Sequence, residues 1–489
     1  MMAAIRSEWT KLLTVRSWQL SLLASIALTL LVSLMGAAGS STDSNEHPPL
    51  RAPDGIAVKD AFHFDHTTLE GDGSITARVA SFSGVKEFPA WAKAGVMVKE
   101  STEPGSRYAA VMTTAEHGVR LQWNYVGDRA GAGPTGPDGR TPWLRITRDG
   151  ARVSAHQSTD GTAWKEVGSV AVGFTASSVE LGLFVASPMY LTTERGIAGS
   201  SAGASSTQST ASFTDVSVSG TTRGEWRSED IGSTGEGPPT TEGSTTPTSA
   251  AAAGTFTLVG SGDIAPDGEP DNATRLGLSG AYLGVIPVIT LAALLMTAEY
   301  RSGMVATTVA ATSRRHRVVL AKATVIGVAA FLSGLIACVA AYLVTQPILR
   351  DNGFAPPTFR ATSLTDPDTL QAVVGSAAVI GLVGVLSLGV ATIVRRSAPA
   401  ITLVILVMVL PQLLVAALPV GAARVMLQVT PGAGWSVQQT ATRFPQIESF
   451  CLPEDGCVFD QPVVGLGVTA LYAVIALLVA GYAFRRRDA

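Results

Sequence analysis

The chain has 489 residues, of which 46% are hydrophobic, 15% are charged and 6% are aromatic, and its formal net charge is −3. Soluble proteins carry about 25% charged residues, so this composition excludes an ordinary cytosolic enzyme and favours a membrane protein. The balanced charge argues against a nucleic-acid partner, and three cysteines are too few for a disulfide scaffold or a zinc cluster.

The N-terminal region places a charged segment before a long apolar run. Residues 1–16 include Arg6, Glu8, Lys11 and Arg16, and residues 17–42 carry no charge. The run is longer than the ~7–15 residues of a signal-peptide core, so it predicts a first transmembrane helix. A signal peptide cleaved at the small residues near position 38 is the alternative.

Charge-free stretches recur in the C-terminal half, and each exceeds the ~20 residues that cross a hydrocarbon core. Lipid cannot satisfy loose backbone groups, so helix is the expected state. Together with 17–42 these stretches predict six transmembrane helices, the other five at 276–298, 323–349, 370–394, 397–423 and 461–484.

The distribution of Lys and Arg predicts the orientation. Four segments hold thirteen basic residues, whereas the alternate connections, 350–369 and 424–460, hold four. Because basic loops stay in the cytoplasm, we expect a multi-pass protein of the plasma membrane with both termini cytoplasmic and the region from about residue 40 to 275 outside. The thirteen basic residues on the predicted cytoplasmic side lie in segments 1–16, 299–322, 395–396 and 485–489.

Residues 51–265 predict a separate all-β domain in that external region. Short strands with two-residue periodicity alternate with turn signals such as Asp149-Gly150, which is typical of an antiparallel β-sandwich. The Ser/Gly-rich stretches 196–210 and 235–253 predict exposed loops. The predicted strands are 74–79, 94–98, 109–113, 119–123, 143–147, 152–156, 180–185 and 213–218.

Three segments of this domain resemble concanavalin-A-like and laminin-G-like modules: Asp60-Ala-Phe-His-Phe64, 69–79 and 94–101. The resemblance implies a jelly-roll, lectin-like sandwich. Segments like 226–232 and 254–264 usually open such modules but come last here. This order implies a circularly permuted module inserted into a membrane protein. Such an arrangement is possible because the two termini of a domain often lie close together at its surface. The alternative is an independent extra strand pair.

The chemistry of the sandwich favours binding over catalysis. Trp91 and Tyr125 are candidate carbohydrate contacts if they are exposed, and core residues if they are not. The chain contains no phosphate-binding loop, no zinc-protease motif and no Gly-x-Ser-x-Gly nucleophile motif. We therefore expect no enzymatic activity and no cofactor bound by this chain, although a membrane-anchored carbohydrate-active enzyme is a distant alternative.

The connection after the second predicted span carries the most informative motif. Glu299-Tyr-Arg-Ser-Gly303, the Thr/Ala-rich stretch 304–311 and the pair Arg314-Arg315 resemble the cytoplasmic connection of type-2 ABC-transporter permeases, with Met304 where Thr is more usual. Residues 6–17 resemble the amphipathic N-terminal helix of that family. The resemblance covers 1–40 and 276–489.

This resemblance implies the permease subunit of an exporter for a lipid, drug-like or glycan substrate. ATP and Mg would bind a separate cytoplasmic ATPase subunit, and the permease would pair with a second copy or a similar protein. The absence of charge within the predicted spans argues against an ion-driven transporter. The alternatives are an ordinary basic loop at 299–322 and a carbohydrate-binding sensor or cell-wall-associated protein without transport. The implied ATPase-coupling residues are Glu299, Arg301, Gly303, Thr307, Thr308, Arg314 and Arg315.

Cys451 and Cys457 lie in the predicted external loop 424–460, a compartment that permits disulfides. The five intervening residues include Pro453 and Gly456, so the chain can turn back and bring the two Cα atoms to about 5.5–6 Å. We expect a disulfide, with two free or intermolecularly paired thiols as the alternative. Cys338 is expected to be a small apolar residue within a span.

Overall fold

The computed structural model describes two kinds of structure, a set of apolar helices and a β-sandwich inserted after the second helix. The described residues are 2–41, 49–131, 142–196, 199–232, 254–267, 273–303, 316–356, 359, 361–440, 444–447 and 461–487.

Helices α1 (Met2–Thr14) and α2 (Arg16–Gly39) are separated at Val15, whose backbone is extended. Only four of the 24 residues of α2 are buried, and Leu20, Leu23 and Met35 are among its exposed side chains. A row of exposed large apolar side chains suits a lipid environment and would be unusual on a helix in water.

The C-terminal half forms the remaining helices. Five helices of the described chain are long and apolar enough to cross a membrane: Arg16–Gly39, Ala273–Arg301, Arg317–Asp351, Pro367–Val394 and Pro462–Phe484. The helices after the sandwich are α3 (Ala273–Leu278), α4 (Ala281–Arg301), α5 (His316–Asp351), α6 (Pro367–Val394), α7 (Ser397–Leu414), α8 (Val420–Val429) and α9 (Pro462–Arg487).

The predicted span 397–423 is not one continuous helix. Helix α7 ends at Leu414, a 3-10 turn covers Val415–Ala417, and α8 begins only after Pro419. Proline disfavours helical geometry at the residue before it, which explains the break at Leu418. Part of the predicted loop 424–460 is also ordered: α8 continues to Val429, and all eight residues of the 3-10 helix Pro431–Gln438 are buried.

Small residues bring α2 and α4 into close contact. The Ser25 hydroxyl donates to the Gly284 carbonyl oxygen at 2.5 Å, and the Gly280 amide donates to Ser33 Oγ at 3.0 Å. A Cβ atom at Gly280 would overlap the carbonyl oxygen of Thr29. This small-residue packing is the means by which helices associate in lipid, where the hydrophobic effect provides no drive.

The sandwich is one sheet folded over itself. The strands are β1 (Val58–Asp60), β2 (Phe62–Gly84), β3 (Lys93–Lys99), β4 (Tyr108–Thr114), β5 (Val119–Trp123), β6 (Gly127–Ala130), β7 (Trp143–Asp149), β8 (Arg152–Ser158), β9 (Lys165–Ala171), β10 (Ser178–Ala186), β11 (Tyr190–Gly196), β12 (Gly199–Ser205), β13 (Ser209–Ile231), β14 (Thr255–Gly260) and β15 (Ile264–Pro266). In the main path of the sheet, neighbouring strands follow the order β6-β5-β4-β3-β10-β2-β7-β8-β9, and β13 pairs with both β2 and β14.

Strand β2 connects the two layers of the sandwich. Residues 63–70 pair with β10, residues 73–78 pair with β7, and β13 follows the opposite edge of β2. Side chains such as Val96 and Ile146 meet between the layers in one apolar core. The two late segments belong to this sheet, because Ile231 pairs with Phe62 and β14 pairs with the start of β13.

One low-complexity stretch is ordered, contrary to expectation. Gly199–Ser205 forms β12, which pairs along its whole length with β11. Gly, Ser and Ala have low strand propensity, so the partner strand, rather than the intrinsic preference of the stretch, accounts for its conformation.

Two buried ion pairs fix the ends of the sandwich. Strands β1 and β15 pair with each other as a separate ribbon. Lys99 Nζ lies 2.7 Å from Asp60 Oδ2 at the end of β1, and Lys93 Nζ lies 2.7 Å from Asp263 Oδ1 just before β15. Both lysines lie on β3 and are fully buried, so the ribbon that enters and leaves the sandwich is held to the sheet.

The contact between α2 and α4 generates a stability prediction. Gly280→Ala should lower the free energy of unfolding by about 1–3 kcal/mol, because the new methyl group overpacks the Thr29 carbonyl. Gly467→Ala in α9 is the control: its Cβ would meet nothing within 4 Å, and alanine favours helix by up to about 1 kcal/mol. Thermal unfolding in detergent compares the variants, and equal midpoints would contradict the described contact.

Candidate functional site

The candidate site is a closed ring of four charged side chains where α1, α4 and α5 meet. Lys322 Nζ lies 2.8 Å from Glu8 Oε2 and 2.7 Å from Glu299 Oε1. Lys11 Nζ lies 2.8 Å from Glu8 Oε1 and 3.0 Å from Glu299 Oε1. Each carboxylate therefore lies between two ammonium groups, and the ring has no net charge. We call these four residues the charge ring.

The helices bring the four residues together from distant parts of the sequence. Glu8 and Lys11 are three residues apart on α1 and so share one face of that helix. Leu12 beside them packs on Val325 and Ala329 of α5. Glu299 lies near the end of α4 and Lys322 near the start of α5, so the ring joins the two helices that flank segment 302–315.

Burial makes the pairing in the ring obligatory. Lys322 is fully buried, and Glu8 and Glu299 are nearly so. Burial raises the pKa of Glu8, but attraction to Lys322 and hydrogen bonds from Lys11 and Lys322 lower that pKa further, to below its ordinary value. Glu8 therefore stays ionised. Removing one partner of a buried ion pair costs about 3–5 kcal/mol, because the other charge is left unpaired.

The proposed coupling residues divide into buried, exposed and undescribed positions. Glu299 is buried in the ring, so its side chain is not accessible to a partner protein. Arg301 and Gly303 are exposed at the end of α4. Gly303 has φ +69°, a conformation that glycine adopts without strain as a helix ends. Thr307, Thr308, Arg314 and Arg315 lie outside the described residues, as do Cys451 and Cys457.

Sequence reasoning missed three members of the ring. It assigned no role to Glu8, Lys11 or Lys322, and it placed Glu299 and Lys322 just outside the predicted spans. Helices α4 and α5 continue past those predicted ends, so both charges are buried within helices. The available signals were the i,i+3 spacing of Glu8 and Lys11 and a lysine directly before an apolar run.

The two aromatic residues proposed to contact carbohydrate are both buried. Trp91 is 5% exposed and stacks on His117, and Tyr125 is 1% exposed. The Tyr125 hydroxyl donates to Asp60 Oδ2 at 2.8 Å. Neither ring presents a free face on which a sugar could stack, so the structure places both residues in the core, the second of the two alternatives. Trp226, 37% exposed beside Phe256, is a more accessible aromatic side chain.

Two histidines fasten β13 to β2 through carboxylates. His66 Nδ1 lies 2.6 Å from Glu180 Oε2, and its Nε2 lies 2.8 Å from Glu229 Oε1. His63 Nδ1 lies 2.6 Å from Asp230 Oδ1. Among the described residues, no three His, Cys, Asp or Glu side chains are placed to hold a metal ion. Both ring nitrogens of His66 face carboxylate oxygens, so both must donate and the contacts of this ring are ion pairs.

The histidine contacts predict a pH-dependent stability. Burial lowers the pKa of His63, but hydrogen bonds to Asp230 and Asp65 outweigh this effect and raise it to about 9 from 6.5. A raised pKa in the folded state means that the stabilisation is complete below pH 6.5 and is lost as the pH rises through 9.

Tryptophan fluorescence can follow this loss, because five of the eight tryptophans lie in the sandwich. The thermal midpoint of the full chain should fall as the pH rises from 6.5 to 9, and His63→Gln should flatten that slope. His156→Gln on β8 is the control and should keep the wild-type profile. A wild-type slope in His63→Gln would refute the assignment.

Comparisons with known proteins leave the family open. No family model and no curated protein matches the chain. The solved structures that resemble it include a functionally unknown protein from Saccharomyces cerevisiae, with 16% identity, a TM-score of 0.22, and coverage of 33% of this chain and 75% of that chain. A GH43 protein, a BlXynB mutant from Bacillus licheniformis, has 17% identity, a TM-score of 0.18, and coverage of 23% and 24%. Scytalido-glutamic peptidase has 18% identity, a TM-score of 0.20, and coverage of 32% and 81%. These similarities are too low to support an inference about function.

Proposed function

We propose that the chain is the membrane-spanning permease subunit of an ABC exporter, which moves a lipid, drug-like or glycan substrate with ATP hydrolysed by a separate subunit. The observation that carries the proposal is the charge ring of Glu8, Lys11, Glu299 and Lys322. The ring lies at the base of segment 299–322, whose motif resembles the ATPase-coupling connection of type-2 permeases.

The ring gives that segment a mechanical connection to the bundle. Its two carboxylates and two ammonium groups come from α1, α4 and α5, and the four contacts are 2.7–3.0 Å long. Sliding one helix along another would break buried ion pairs, whereas apolar contacts tolerate such sliding. A displacement of segment 302–315 by an ATPase would therefore move the three helices together. Such transmission requires contiguous packed contacts, and the ring supplies them.

The same geometry disfavours an ion-driven transporter. Proton- and ion-coupled transporters place ionisable residues along a path through the membrane. Here the buried charges lie near the end of α4 and the start of α5, and each carboxylate already contacts two lysines. Against the effect of burial, attraction to Lys322 and hydrogen bonds from both lysines hold the pKa of Glu8 below its ordinary value, so the ring is suited to holding helices together and poorly suited to carrying protons.

The rest of the architecture is compatible with this role. Helix α7, with the turn and α8 that follow it, would supply the sixth span beside the five longer helices. Both termini would then face the cytoplasm and the sandwich would lie outside, as the charge bias predicts. The permease would pair with a second copy or a similar subunit. In the alternative, a carbohydrate-binding sensor without transport activity, Trp91 and Tyr125 would be sugar contacts, but both are buried.

The test is ATP hydrolysis by a candidate ATPase reconstituted with the full chain in lipid nanodiscs. Glu299→Gln keeps the shape of the side chain but removes the charge shared by Lys11 and Lys322. We expect ATPase stimulation to fall by roughly 5- to 150-fold, the usual range for coupling between sites. Arg301→Ala should weaken ATPase association instead, because Arg301 is exposed next to the segment.

Glu116→Gln, an exposed residue of the sandwich, is the matched control and should retain full stimulation. Thermal unfolding of each variant separates lost coupling from lost folding. If no ATPase associates with the chain, the proposed function is wrong. If an ATPase associates and both Glu299→Gln and Arg301→Ala retain full stimulation, the assignment of this segment is wrong.

A further inference from the structure

We infer that the sandwich is docked on the membrane part as a cap that holds residues 415–440 and 444–447 of the connection between α7 and α9 in place. Gln446, in that connection, is 2% exposed. Its Nε2 donates to the carbonyl oxygen of Val126 at 2.9 Å and to that of Tyr125 at 3.4 Å. One side-chain amide thus bridges the two parts of the molecule.

The acceptor is a rigid turn of the sandwich. Residues 124–126 connect β5 to β6, and Asn124 and Tyr125 both have positive φ, +45° and +65°. The Asn124 side chain donates to the Val172 carbonyl oxygen at 3.0 Å, and its backbone amide donates to the Tyr108 carbonyl oxygen at 3.0 Å. Because the turn is fastened on both sides, its carbonyl groups are held in position for Gln446.

The turn is also joined to the base of the sandwich. The Tyr125 hydroxyl donates to Asp60 Oδ2 at 2.8 Å, and the same oxygen pairs with Lys99 Nζ at 2.7 Å. Asp60 ends β1, the first strand of the sandwich. The docking turn and the first strand are therefore parts of one buried polar cluster. This cluster joins the turn that contacts Gln446 to the strand by which the chain enters the sandwich.

A second contact lies near the start of the same connection. Strands β11 and β12 contact the 3-10 turn Val415–Ala417, which directly follows α7. The sandwich therefore touches the connection at 415–417 and again at Gln446. Between these two points lies the buried 3-10 helix Pro431–Gln438, which packs against α6 and α9. A change in the docking of the sandwich would reach those helices through it.

Hydrogen exchange of the full chain in nanodiscs tests this inference without any ATPase, so the outcome is independent of the proposed function. Gln446→Ala removes both hydrogen bonds. Gln446→Glu places an acceptor against two carbonyl oxygens. Both variants should exchange amides 126–129 and 432–438 about tenfold faster than wild type, since exchange reports local opening. Gln461→Ala, an exposed glutamine at the start of α9, is the control.

A second measurement covers the case in which a Gln446 variant folds poorly, because it leaves Gln446 unchanged. Asn124→Asp removes the side-chain donor that ties the turn to the Val172 carbonyl oxygen. Faster exchange at 432–438 in this variant supports the docked cap. Faster exchange at 126–129 alone, or unchanged exchange at 126–129 and 432–438 in both Gln446 variants, overturns it.

Discussion

Four mutually neutralising charges are the constraint on which the proposed membrane part depends. Lys322 cannot be buried alone, because a lone ammonium group in an apolar interior is prohibitively costly. It therefore requires Glu8 from α1 and Glu299 from α4, and Lys11 completes the balance. This requirement selects one arrangement of three helices, whereas apolar surfaces permit many.

Polar contacts also join other separate parts of the chain. Lys99 with Asp60, and Lys93 with Asp263, fix the ribbon through which the chain enters and leaves the sandwich. Gln446 joins the sandwich to the connection before α9. Inside each part, apolar packing provides the bulk of the stabilisation. At these junctions, directional polar contacts set the geometry.

The sequence predicted what depends on local pattern and missed what depends on distant partners. Charge-free runs located α2, α4, α5, α6 and α9, since length and apolarity suffice for a span. Two-residue periodicity located most strands. In the sequence, the end of α7 is signalled only by Pro411 and Pro419. The pairing of Lys322 with Glu8, 314 residues apart, and the burial of Trp91 and Tyr125 depend on tertiary contacts, for which a single sequence gives no direct signal.

In the proposed permease, the charge ring couples α1 to the segment between α4 and α5. The most direct measurement is a double-mutant cycle with Glu8→Gln, Lys322→Met and the two combined, read as stimulation of the proposed ATPase subunit at matched folded fraction. The double variant should lose much less stimulation than the product of the two single losses, a coupling of about 0.5–3 kcal/mol for residues in contact. Single losses that multiply independently would contradict this coupling.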